Sequence, residues 1–73
     1  MRIYLLELRE ANGLTQKEIS SKLGISESYY NLIEKGERQK TLRVDLLKQL
    51  SSVLNVTLDK LVDYELTYSN AIN

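Results

Sequence analysis

Apolar side chains recur three and four positions apart along most of the chain: Leu5 and Leu8, Ile19 and Leu23, Tyr30 and Ile33, then Leu47, Leu50 and Leu54. That spacing lays a single stripe along an α-helix. No alternating run is long enough to suggest a sheet. Three short segments interrupt the stripes and share one grammar: Gly13-Leu14-Thr15, Gly24-Ile25-Ser26 and Asn55-Val56-Thr57. In each, a residue that tolerates the left-handed conformation stops a helix. An apolar residue then packs back, and a hydroxyl residue caps the next helix. Thr15 with Glu18 has the spacing of a capping box. Gly36 closes a further segment, Glu37 to Lys40 reads as a charged loop, and Thr41 is placed to cap the fourth helix. The pattern predicts five helices, at about 2–12, 16–23, 27–35, 42–54 and 58–63, in an all-α bundle with Leu14, Ile25 and Val56 plugging the turns.

Length confines this bundle to one small domain, since the chain has 73 residues. Cysteine and histidine are both absent. There is thus no disulfide, no cysteine nucleophile, no Ser-His pair, and none of the usual zinc ligands. A small bundle with no glycine-rich phosphate loop is not expected to be an enzyme or to carry a cofactor, a metal or a small-molecule ligand. No apolar run approaches the ~20 residues of a membrane span, and the start has no apolar signal segment. A soluble cytoplasmic protein is the expectation.

Helices two and three are joined by a short turn around Gly24, the spacing of a helix-turn-helix. Over residues 5–61 the chain resembles the Cro/phage-repressor (XRE) family of helix-turn-helix regulators. The resemblance rests on Leu8-Arg9, on Gly13-Leu14-Thr15-Gln16 with Lys17-Glu18-Ile19, and on Leu23-Gly24-Ile25-Ser26 with Ser28-Tyr29. It continues through Ile33-Glu34-Lys35-Gly36 and Leu54 to Leu61. It implies a lambda-repressor-like fold and a sequence-specific regulator that binds double-stranded DNA, a repressor of phage or mobile-element type. The third helix, about 27–35, would enter the major groove.

The resemblance also implies roles for single residues. Ser26, Glu27, Ser28, Asn31 and Leu32 face outward near the start of helix three and would read base edges, together with Gln16. Glutamate can accept from cytosine N4 and leucine can meet a thymine methyl, but neither can brace a phosphate. Gln16 would brace phosphate and base together. Thr15 and Lys17 would offer backbone N–H groups and a cation to phosphate at the start of helix two. Lys35, Arg38 and Lys40 complete the phosphate set. Arg9 and Glu34 match the family's internal ion pair between helices one and three. Tyr30 falls at a buried position usually held by a branched aliphatic, so its hydroxyl needs an edge or a partner.

Ten basic and ten acidic residues cancel overall, but their distribution is uneven. Residues 35–48 hold five bases against two acids, for +3, directly after the expected recognition helix. Phosphate contacts supply most non-specific affinity, so the grip on the DNA backbone is expected there. The neutral total, Glu27 and Leu32 also sustain an alternative: a protein-interaction module on the same fold, antitoxin- or antirepressor-like, with weak or no DNA binding. The domain is expected to span 1–63, followed by a tail at 64–73. In that tail Tyr64, Tyr68 and Ile72 recur four apart, continuing the stripe of Leu61. As a helix, such a seam dimerises the protein, at least on DNA; otherwise the tail frays or folds back over Ile3 and Leu6 of helix one, and the alternation of Tyr64, Leu66 and Tyr68 also permits a short extended segment.

Overall fold

Each predicted stop signal ends a helix in the computed structural model, which describes residues 1–72 and the side chains through Ala71. The elements are α1 (Ile3–Ala11), α2 (Gln16–Leu23), α3 (Glu27–Lys35), α4 (Val44–Leu54) and α5 (Leu58–Ile72), with no strand among the described residues. At all three repeated turns the apolar residue donates its N–H five positions back: Leu14 to Arg9, Ile25 to Ser20 and Val56 to Ser51. This is the six-to-one bond of a Schellman stop, which satisfies a carbonyl left orphaned at the helix end. Next in each turn comes the hydroxyl cap. Thr15, Ser26 and Thr57 accept from the N–H groups of Glu18, Tyr29 and Lys60. The capping box of Thr15 and Glu18 is complete.

The core is a single cluster in which every helix takes part. Leu5, Ile19, Tyr30, Leu50 and Leu61, one from each helix, have no exposed surface. α2 packs on both α3 and α4, α1 rests against α3, and α5 rests against α4. Asn12, at the end of α1, donates to the Leu54 carbonyl at 3.0 Å and ties that end to the end of α4.

Two boundaries differ from the sequence reading by more than one residue. α4 starts at Val44 rather than 42, with Arg43 at its N-cap and no side-chain cap, so Thr41 does not cap it. The cause lies in α5: the Leu42 N–H donates to the Glu65 carboxylate at 3.1 Å, and Leu42 is buried as a loop residue ahead of the helix. α5 itself runs without a break through residue 63 to Ile72. The tail helix turns its first turns inward. Tyr64 stacks on Tyr4 at 5.6 Å, Glu65 is buried, and the Tyr68 ring lies 4.8 Å from the Arg2 guanidinium. Two of the three seam residues thus have partners within the chain. Ile3, expected beneath the tail, remains 58% exposed, and Leu6 is half-buried. The side chain of Ile72 and all of Asn73 lie outside the described residues.

Candidate nucleic-acid interface

An α-helix turns about 100° per residue, so Glu27, Asn31, Lys35, Ser28 and Leu32 occupy one arc of about 140° on α3. The opposite side belongs to Ile33, Tyr30 and Glu34, all buried. Along the outward arc Glu27, Ser28 and Lys35 are exposed, while Asn31 and Leu32 are half-buried. Ser26 is exposed too, but its hydroxyl oxygen already accepts the Tyr29 N–H as the N-cap of α3. Its proton is left to donate elsewhere.

Glu34 fixes the angle at which this helix is held. Arg9 reaches it from α1 with two parallel hydrogen bonds, Nε to Oε2 at 3.0 Å and Nη2 to Oε1 at 3.2 Å. The same arginine donates to the Leu14 carbonyl at 2.9 Å, in the turn before α2. The Tyr30 hydroxyl and the Gln16 amide complete the carboxylate's shell, at 2.7 and 3.1 Å. Burial alone would raise the Glu34 pKa, but the hydrogen bonds from Arg9, Tyr30 and Gln16 hold it below the ordinary carboxylate range. Burial and that carboxylate push the Tyr30 hydroxyl far above its ordinary value, so it stays a donor.

Gln16 is therefore occupied from within. Its amide nitrogen donates to Asn31 Oδ1 as well as to Glu34, both at 3.1 Å, so it joins the first residue of α2 to the outward face of α3. Two residues expected to read bases are thus held in one network by the buried ion pair. At the start of α2 one expectation needs correcting. The Thr15 N–H donates to Glu18 Oε1 at 2.9 Å, closing the capping box, so that group is not offered to a phosphate. The Gln16 and Lys17 N–H groups, in the first turn of α2, have no intrahelical acceptor. Lys17 is exposed beside them.

The expected phosphate cations Lys35, Arg38 and Lys40 are all exposed, and they surround the end of α3 and the loop after it. Arg43, also in the basic segment, faces Asp45 at 3.5 Å in a solvent-exposed pair. The loop is not a free charged run. Gln39, at φ 53°, bridges it by donating to the Tyr29 hydroxyl at 2.9 Å and accepting the Arg43 N–H at 3.2 Å. Beneath it lies Arg2, which no motif in the sequence singles out and which has 0% exposure. Its partner Glu65 did leave a trace in the sequence. It follows Leu58 and Leu61 at helical spacing, a charge on a buried stripe, and such a charge demands a partner. Among the described residues no group of three or more acidic side chains is placed to hold a metal, and no helix is long and apolar enough to cross a membrane.

The helix-turn-helix family model matches residues 5–61. The chain belongs to this family, of the XRE type, whose members are DNA-binding regulators of transcription. Comparison with curated proteins and with solved structures gives no match.

Proposed function

We propose that this protein is a repressor of phage or mobile-element type that reads a specific double-stranded sequence with α3 in the major groove. The observation that carries the reading is the outward arc of α3, free of other helices at Glu27, Ser28 and Lys35 and flanked by the exposed cations Lys17, Arg38 and Lys40. Ser26, Glu27, Ser28, Asn31 and Leu32 meet base edges. Gln16, already joined to Asn31, lies between that face and the backbone. Lys17, Lys35, Arg38 and Lys40 contact phosphates, with the Thr15 hydroxyl beside them. Phosphates set the register and the side chains on the arc select the sequence. A DNA partner places the protein with the DNA, in the cytoplasm.

A protomer with so few cations binds weakly alone, so two copies on a twofold axis read two half-sites roughly 34–36 Å apart. The exposed apolar residues Ile3 of α1 and Tyr64 of α5, which line one open cavity, favour an association of this kind. Selection of bound sequences from random duplex DNA tests the whole reading. The expected result is a single enriched motif with inverted half-sites about one helical turn apart. Loss of all enrichment by a folded protein would refute it, leaving a protein-docking module.

A further inference from the structure

Arg2 lies completely buried beneath the loop that joins α3 to α4. Its side chain and that loop make an unusual set of bonds. Nη1 donates to the carbonyls of Ile33 at 2.7 Å and Arg38 at 3.3 Å. Nη2 donates to the carbonyls of Gln39 and Lys40. Nε and Nη2 also grip the two oxygens of Glu65, each at 2.9 Å. The Arg2 backbone N–H donates to the Glu34 carbonyl at 2.8 Å, so main chain and side chain both hold the end of α3. Glu65 in turn accepts the Leu42 N–H and the Tyr4 hydroxyl, at 3.1 and 2.6 Å. Three successive loop carbonyls, those of Arg38, Gln39 and Lys40, therefore point down to one guanidinium. A chain that turns its carbonyls inward onto a buried cation directs its side chains elsewhere, and Arg38 and Lys40 are exposed. Arg2 and Glu65 both lie outside residues 5–61, the segment shared with the family. The pair therefore joins the two flanks of that segment.

We propose that Arg2 and Glu65 are positioning residues for DNA binding: together they shape the 38–42 loop so that Arg38 and Lys40 meet phosphates. The inference rests on the reading of this surface as a DNA interface. It explains why α5 continues beyond the matched segment, since without Glu65 the buried guanidinium would have no counter-charge. It also joins α5 to the DNA-facing loop, so that a change in one is felt in the other.

The test uses the full chain with Glu65→Gln and Arg2→Lys. The amide keeps one acceptor oxygen, enough for Arg2 Nη2 and the Leu42 N–H, but removes the charge and turns a donor toward Arg2 Nε, and lysine retains the charge but cannot reach several carbonyls at once. Two measurements are made: amide hydrogen exchange, and binding to a mixed-sequence duplex over a range of salt. The expected result is exchange of the hydrogen-bonded loop amides, those of Arg38, Leu42 and Arg43, roughly tenfold faster or more, with α2 and α4 still protected. The salt slope should fall by about one to two, as each lost phosphate contact removes about 0.9. Base preference should stay as in the parent. Unchanged loop exchange with an unchanged slope overturns the proposal. So does exchange that rises equally in the loop and in α4, because the pair then holds the whole domain and not the loop. If the parent protein binds no duplex, the DNA reading fails. Loop exchange then still decides whether the pair shapes this segment.

Discussion

Tyr30 donates its hydroxyl proton to Oε2 of Glu34, one helical turn further along the same buried face of α3, at 2.7 Å. A tyrosine at this core position is explained by that bond, because it supplies a donor to a buried carboxylate that Arg9 and Gln16 approach from other helices. No side-chain nitrogen or oxygen buried among the described residues is left without a partner. Charge and hydroxyl are compatible with the core only as a set.

The lowered pKa of Glu34 makes stability depend on pH in a definite direction. A carboxyl lowered in the folded state stabilises fully above its unfolded value of about 4.3, and this contribution is lost as pH falls through the lower folded value. Melting temperature should therefore drop as pH falls from the unfolded value toward the lower folded one, and Glu34→Gln should flatten the profile in that interval. Arg9→Met removes the counter-charge and should cost roughly 3–5 kcal/mol at neutral pH. Thermal melts from neutral pH down into strong acid check both.

Gly36 and Gly24 both have positive φ, 82° and 72°, but differ in their surroundings. A Cβ at Gly24 meets nothing within 4 Å, whereas at Gly36 it would run into the Tyr68 hydroxyl. Gly24→Ala should cost about 1–2 kcal/mol from backbone strain alone, and Gly36→Ala more. Tyr68→Phe removes the obstructing oxygen. It should recover part of the loss in Gly36→Ala and none in Gly24→Ala, a comparison that a double-mutant cycle by urea denaturation makes directly.

The two sides of α3 should separate stability from recognition. Ile33, 1% exposed, should cost about 2–5 kcal/mol when cut to alanine. Asn31→Ala and Leu32→Ala should cost less than Ile33→Ala and should change preference at particular base pairs. Melts ranked the other way, or base preferences untouched by both outward changes, would reverse the assignment of faces.

Arg38→Ala and Lys40→Ala should weaken binding to every duplex alike. Each should lower the salt slope by about one, the signature of a lost phosphate contact. A titration of affinity against salt concentration measures this, and an unchanged slope in both variants would remove the loop from the interface.

Most of the helical plan is local, and the sequence by itself determined it. The glycine or asparagine stops, their apolar followers and the hydroxyl caps act over short stretches of chain, so their spacing alone marks where α1, α2, α3 and the start of α5 lie. The stripes of Leu, Ile and Tyr then settle which side of each helix is buried, and the outward arc of α3 is the side left over. Tertiary structure decided whatever depends on residues far apart in sequence. Arg2 and Glu65, 63 positions apart, form a buried pair: the stripe of α5 hints that Glu65 needs a partner, but nothing in the sequence says that the partner is Arg2, because a charge is ordinarily a surface residue. That pair takes the Leu42 N–H, shifts the start of α4 past the expected cap at Thr41, and fixes the loop that carries Arg38 and Lys40. It also turns α5 inward, where the tyrosine seam alone permitted a partner, a fold-back, fraying or a short extended segment. Local signals place helix ends because they act through the backbone of neighbouring residues. Buried charge is settled only when the whole chain has closed around it.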